Sequence, residues 1–124
     1  MWAPVGVRPS RREVLASVES YFEGLRRGDL AQVPFAADIV FDWPLAPTLH
    51  GEQAVRDFLA GVLPALRGVR VRQHLVDGAH CATRAELDTA YGLIAQFEYF
   101  RVTDGRLSEV HGHFDPRPFT NPFR

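Results

Sequence analysis

The sequence predicts an α+β domain in which helices cover one face of an antiparallel sheet. Two observations carry this expectation. Apolar residues in the first half recur at helical spacing, whereas from Val69 onward they alternate with polar residues in long runs broken by glycine-containing turns. Helices that precede the strands, rather than alternating with them, favour segregated layers over a doubly wound parallel sheet. At 124 residues the chain has one domain's length, and an apolar fraction of 46% is enough for a single core.

The elements follow in order. Ser10, with Glu13 three residues later, forms the capping-box pattern of a helix start. Val14, Leu15, Val18, Tyr21, Phe22 and Leu25 then keep one face apolar, and Gly28-Asp29 ends the helix. A short second helix is expected over Leu30 to Phe35, its length limited by Pro34. Ile39 to Trp43 reads as a strand stopped by Pro44. After Gly51, the residues Ala54, Val55, Phe58, Leu59, Val62 and Leu63 mark another amphipathic helix.

Val69 to Val76 alternates as a half-buried strand should. Asp77-Gly78 turns the chain into Ala79 to Thr89. Ala90-Tyr91-Gly92 suits a three-residue hairpin loop with Gly92 in the left-handed position. Leu93 to Thr103 and Arg106 to Phe114 follow, joined at Asp104-Gly105. Residues 1–124 thus read as one domain, with residues 1–9 an N-terminal arm and residues 115–124 a proline-rich, irregular C-terminal arm.

Net charge is −1 with both signs interleaved, so neither a nucleic-acid nor a membrane surface is expected, since either wants a clustered basic patch. Cys81 stands alone, which excludes an internal disulfide, and a buried small strand residue is the plain reading of it. The first nine residues form neither a signal peptide nor a membrane span, which makes a cytoplasmic location the default expectation.

Several strings resemble the limonene epoxide hydrolase family. They are Phe35-Ala-Ala-Asp38, Pro44-Leu-Ala-Pro47, Gly51 to Val62, Arg84-Ala-Glu86, Phe100 to Leu107 and His113 to Phe119. The chain is similar, more distantly, to ketosteroid isomerase and the SnoaL-like polyketide cyclases of the nuclear transport factor 2 superfamily. The resemblance implies a cone-shaped, curved antiparallel or mixed sheet, with about three N-terminal helices enclosing one apolar pocket. It also implies no metal and no cofactor.

In that hydrolase family an arginine and an aspartate two residues on point into the pocket, and here they match Arg84 and Glu86. The family's water-activating aspartate on the last strand matches Gly112, and its water-holding tyrosine and asparagine match Phe41 and Trp43. Most of the water-activating set is therefore replaced. Glu98 is the candidate substitute, because a turn at Asp104-Gly105 brings it beside Gly112, where the missing side chain would leave room. Glu98 also matches the oxyanion-binding acid of ketosteroid isomerase, and Tyr21 matches its oxyanion tyrosine. The catalytic-base position of that isomerase, however, holds Trp43.

Two carboxyl groups of different proton affinity can divide the work of opening an epoxide. On this reading Glu98 is the base, Glu86 the acid and Arg84 the bridge that orients both. The trio requires the three-residue turn at Tyr91, which pairs Arg84 with Glu98 and Glu86 with Gln96. A two- or four-residue turn would exchange the faces, leaving Arg84, Glu86 and Asp88 solvated and Ala85, Leu87 and Thr89 inside.

Phe41, Trp43, Phe58, Leu59 and Phe100 are expected to line an apolar pocket. Ile94, Gln96, Val110, Gly112 and Phe114 would complete its strand wall. The expected occupant is an apolar oxygenated small molecule, terpenoid or polyketide-like, acted on by epoxide opening, cyclisation or isomerisation. A non-catalytic pocket or a dimerisation domain is the alternative. Glu109, His111 and His113 share a strand face with the spacing of metal ligands, but alignment places them on the outer face. That outer face, carrying Phe97 and Tyr99, is expected to join two copies as a homodimer.

Overall fold

A computed structural model describes residues 9–120. The expected N-terminal arm lies almost wholly outside the described residues, as does the end of the C-terminal one. Helix α1 spans Arg11–Arg27, with Ser10 Oγ accepting from the Glu13 N–H and the Glu13 carboxylate accepting from the Ser10 N–H. Gly28 ends it in the left-handed conformation, φ 68°. The helix buries Val14, Val18, Tyr21, Phe22 and Leu25 against the sheet.

The short helix expected at Leu30 to Phe35 is absent. Asp29 Oδ1 accepts from the Ala31 N–H and Val33 N–H bonds to Leu30 O, closing one turn. Strand β1 then begins early, at Phe35, and runs Phe35–Asp42. Pro34 cannot donate inside a helix, and Phe35 gains a pairing with Leu107 instead. A two-residue strand β2, Leu49–His50, was not expected. Helix α2 covers Glu52–Val62 and runs into a 3₁₀ turn, Leu63–Ala65.

The remaining strands are β3 Leu66–Asp77, β4 His80–Thr89, β5 Gly92–Thr103 and β6 Arg106–Phe114. A third helix, α3, Arg117–Thr120, lies in the tail that was expected to be irregular. Of the three α-helices among the described residues, two are therefore N-terminal and one C-terminal. The sheet order is β2-β1-β6-β5-β4-β3, with β1 parallel to β6 and every other pair antiparallel. Extra, unpaired residues in β1, β3 and β6 mark irregularities of the kind that bend strands and let a sheet curl around helices. The core lies between α1, α2 and the inner sheet face, where Val14, Val18, Phe22, Phe35, Ile39 and Leu107 are buried.

The hairpin between β4 and β5 decides which residues face that core. Its loop holds two residues, Ala90 and Tyr91, and Thr89 pairs with Gly92. Thr89 Oγ1 accepts from the Tyr91 N–H and donates to Gly92 O, which bridges the short turn with one side chain. Gly92 does have positive φ, 114°, but as the first residue of β5 rather than the third of the loop. The expected three-residue loop is thus one residue too long, and every β4 side chain lies on the face opposite to the one the trio needed.

Candidate active site

Glu98 sits at the centre of the inner face with no exposure to solvent. β5 places it directly opposite Gly112 on β6 and Thr83 on β4. Three donors converge on its carboxyl group. Tyr21 Oη from α1 donates to Oε2 at 2.9 Å, and Trp43 Nε1 donates to the same oxygen at 2.8 Å. Gln96 Nε2, two residues back on the same strand face, donates to Oε1 at 2.9 Å.

Burial pushes the Glu98 carboxyl up from the ordinary 4.5 to about 7, against the opposing pull of the bonds from Trp43, Tyr21 and Gln96. Burial, and then the adjacent Glu98, raises the Tyr21 phenol well above its ordinary value, so it stays a neutral donor. A carboxyl that changes charge near neutrality, held by fixed donors in an apolar surround, is equipped to take or give one proton.

The room left by Gly112 is used differently from the expectation. The Trp43 ring fills it, since a β-carbon at Gly112 would lie 2.5 Å from Trp43 Cδ1 and Nε1. The glycine therefore lets the indole reach Glu98 rather than giving space to the carboxylate itself. Around the indole, Phe41, Phe58 and Phe114 pack with ring centroids 5.5, 5.8 and 5.4 Å away. Phe119 of α3 then meets Phe114 edge-on and Tyr91 at a tilt.

The structure brings Glu98, Tyr21, Trp43, Gln96 and Gly112 together, and Phe41, Leu59, Ile94, Phe100 and Val110 are buried on the same side. Phe100 belongs to the deep core, edge-on to Tyr21 and Phe22. Arg84 and Glu86 are not part of this group, which corrects the trio. Thr83 and Ala85 take the inward positions opposite Glu98 and Gln96. Arg84 is exposed opposite Phe97, and Glu86 pairs with Arg72 at 2.7 Å on the outer face. Glu98 is the one carboxylate among the buried described residues.

Glu109 and His111 lie 3.2 Å apart on the outer face, and His111 is 3.6 Å from Asp42. Among the described residues no group of three or more such side chains is placed to hold a metal ion. His74 lies within β3, where Nδ1 is 2.7 Å from Thr83 Oγ1. Open grooves occur away from Glu98. One, of about 430 Å³ and lined by Glu19, Arg26 and His74 among others, runs between α1 and β3, and another, of about 650 Å³, crosses β1, β5 and β6. Neither contains a residue bonded to Glu98, so the buried carboxyl marks the site better than an open depression does.

A family model described as Domain of unknown function (DUF4904) matches residues 10–122. The chain belongs to that family. No curated protein matches it. Solved structures place this DUF4904 chain among the NTF2-like folds. An NTF2-like protein of unknown function from Cytophaga hutchinsonii superposes with a TM-score of 0.75 at 15% identity, covering 87% of this chain and 95% of that one. A steroid delta-isomerase from Pseudomonas aeruginosa gives 0.72 at 21%, covering 87% and 83%. A candidate polyketide cyclase from Sinorhizobium meliloti gives 0.73 at 19%, covering 79% and 94%. At these identities the likeness speaks for the fold, and the site has to speak for the activity. Among the described residues no helix is long and apolar enough to cross a membrane.

Proposed function

We propose that this protein is an acid/base enzyme that moves a proton on an apolar, oxygenated small molecule, with Glu98 as the group that carries the proton. The observation behind this reading is the one fully buried carboxyl among the described residues, raised to about 7 and held by Tyr21, Trp43 and Gln96. One carboxyl favours chemistry in which the same group takes a proton from one atom of the substrate and returns it to another, as in isomerisation or cyclisation. Epoxide hydrolysis by two carboxyls that divide the work has less support, because Glu86 is on the other face. The apolar surround of Phe41, Trp43, Phe58 and Phe114 suits a terpenoid or polyketide-like substrate.

Tyr21 would act as a positioning residue. Its hydroxyl bond favours the charged form of Glu98, so Tyr21→Phe is expected to raise the proton affinity of the carboxyl. A bond to a charged group is worth about 1.5–3 kcal/mol, which moves the acidic limb of the kcat/KM profile up by about 1–2 pH units. The assay is turnover of a panel of enolisable apolar ketones and apolar epoxides across that range. An unchanged profile with a uniformly lower rate would mean that Tyr21 supports only packing.

A specific observation also favours a non-catalytic pocket. Both oxygens of Glu98 are already occupied by protein donors, and Phe58 and Phe114 close over Trp43. Binding of apolar ketones or alcohols without turnover of any of them would establish that reading.

The outer sheet face supports a homodimer. Phe97 is 53% exposed and Leu93 67% on β5, and Leu75 is 57% exposed on β3 across β4, all three on that face. Phe97→Asp is expected to convert the dimer to monomer in analytical ultracentrifugation, with the far-ultraviolet circular dichroism unchanged. A wild-type protein that sediments as a monomer at every concentration defeats the proposal.

A further inference from the structure

We propose that Gln96 sets the ligand specificity of this site, and that its side-chain amide turns over with the protonation state of Glu98, presenting an acceptor to the ligand in one state and a donor in the other. The ligand half of this inference rests on the reading of the Glu98 site as a binding pocket; the amide exchange does not.

Gln96 is 2% exposed, and its Nε2 is engaged with Glu98 Oε1. Its Oε1 is buried and no protein donor among the described residues reaches it. The inward neighbours explain why: Ala85 and Phe114 stand opposite Gln96, Ile94 precedes it on the same face, and none has a side-chain donor. An unmatched buried carbonyl is costly, so this is where a ligand hydroxyl gains most.

The ionised carboxylate accepts from Tyr21, Trp43 and Gln96, and all three bonds are compatible. A proton on Oε1 changes this, because the acid O–H would then face the Gln96 NH₂, donor against donor. Half a turn of the amide about its terminal torsion removes the conflict. The Gln96 carbonyl then accepts from the acid, and the NH₂ takes the position the carbonyl had. A proton on Oε2 is the competing arrangement, with Tyr21 turning its hydroxyl to accept. That leaves the Tyr21 hydrogen without an acceptor among the rings of Phe22, Phe35 and Phe100, and Trp43 Nε1, a donor only, still requires Oε2.

The groups packed on Glu98 are Tyr21 from α1, Trp43 from the segment after β1, Thr83 from β4, Gly112 from β6 and Gln96 from β5 itself, with Phe58 of α2 behind Trp43. Of these only the Tyr21 phenol titrates, and it is held neutral. Glu98 itself, raised to about 7, is therefore the group that sets the exchange. By linkage, a ligand that donates to Gln96 Oε1 favours ionised Glu98, and one that accepts from Nε2 favours the protonated acid.

The exchange is read first in the ligand-free protein, by following the Gln96 side-chain amide and the Glu98 carboxyl carbon in NMR from about pH 5 to about pH 9. The Gln96 NH₂ resonances are expected to move with the same midpoint as Glu98, and in Glu98→Gln to stay at their low-pH positions throughout. Gln96 resonances that stand still while Glu98 titrates assign the exchange to Tyr21 and overturn the proposal. So does a Glu98 that never titrates in this range.

Selectivity is then read with a matched pair, 4-tert-butylcyclohexanol and 4-tert-butylcyclohexanone. The ratio of alcohol to ketone affinity is expected to rise about tenfold or more between about pH 5.5 and about pH 8.5, and to be flat in Gln96→Met. A ketone preference at low pH that survives Gln96→Met assigns recognition to Glu98 itself and overturns the role of Gln96. Failure of both molecules to bind at either pH overturns the selectivity together with the pocket reading, and leaves the amide exchange to stand or fall on the resonances.

Discussion

Gly112→Ala is expected to destabilise the protein by about 2–4 kcal/mol, a large effect for one methyl group on a strand. The added carbon would lie 2.5 Å from two atoms of the Trp43 ring. That ring has nowhere to retreat, with Phe41, Phe58 and Phe114 around it and Nε1 bonded to Glu98. Either the sheet shifts at β6 or the indole leaves, and the second route strips Glu98 of a donor in an apolar interior. Urea unfolding checks the prediction: the midpoint should fall with the slope unchanged. The same variant should raise the proton affinity of Glu98, because the bond from Trp43 favours the charged form. A loss below about 0.5 kcal/mol would show that the indole is not seated against the strand.

How much of this was legible in the sequence differs between fold and site, for a physical reason. Element type follows from periodicity, and the capping box at Ser10, the Gly28 terminus, α2 and β6 Arg106–Phe114 are where the pattern places them. The pairing of Glu98 with Gly112 was also readable, because Asp104-Gly105 is an unambiguous turn. Arg84 and Glu86 were not, because the face a strand presents depends on the parity of a loop length. Ala90-Tyr91-Gly92 suits a three-residue loop by composition, while Thr89 closes a two-residue one by a side-chain bridge. The role of Trp43 was missed for a related reason. Glycine at 112 looked like an opening for a carboxylate, whereas only the fold shows which distant side chain fills the opening. A signal was available: a tryptophan in a largely apolar segment still has one N–H that must find an acceptor when buried. Gln96 was expected in the pocket wall, but its bond to Glu98 could be inferred only from two polar residues at i and i+2 on an otherwise apolar strand face.

Glu98→Gln is expected to lower kcat by about a hundredfold or more, the ordinary scale for removing a general acid/base. Its effect on stability is separate and decisive about the carboxyl itself. The folded protein holds this proton up to about pH 7, whereas the unfolded chain releases it near 4.5. Between those values the folded state binds more protons, so stability falls as pH rises through that window and levels off above it. The fall corresponds to about 3 kcal/mol at most. The amide of Glu98→Gln has no charge to desolvate and can still accept from Tyr21 and Trp43, so this contribution should vanish. The variant is thus expected to equal or exceed the wild type in stability at about pH 8 while losing turnover, a combination that simple structural damage does not produce. Chemical denaturation of both proteins at a series of pH values separates the cases. Lower stability of Glu98→Gln at every pH, with the wild-type slope retained, would mean that Glu98 is ionised and structural, and that the proton it was proposed to carry resides elsewhere.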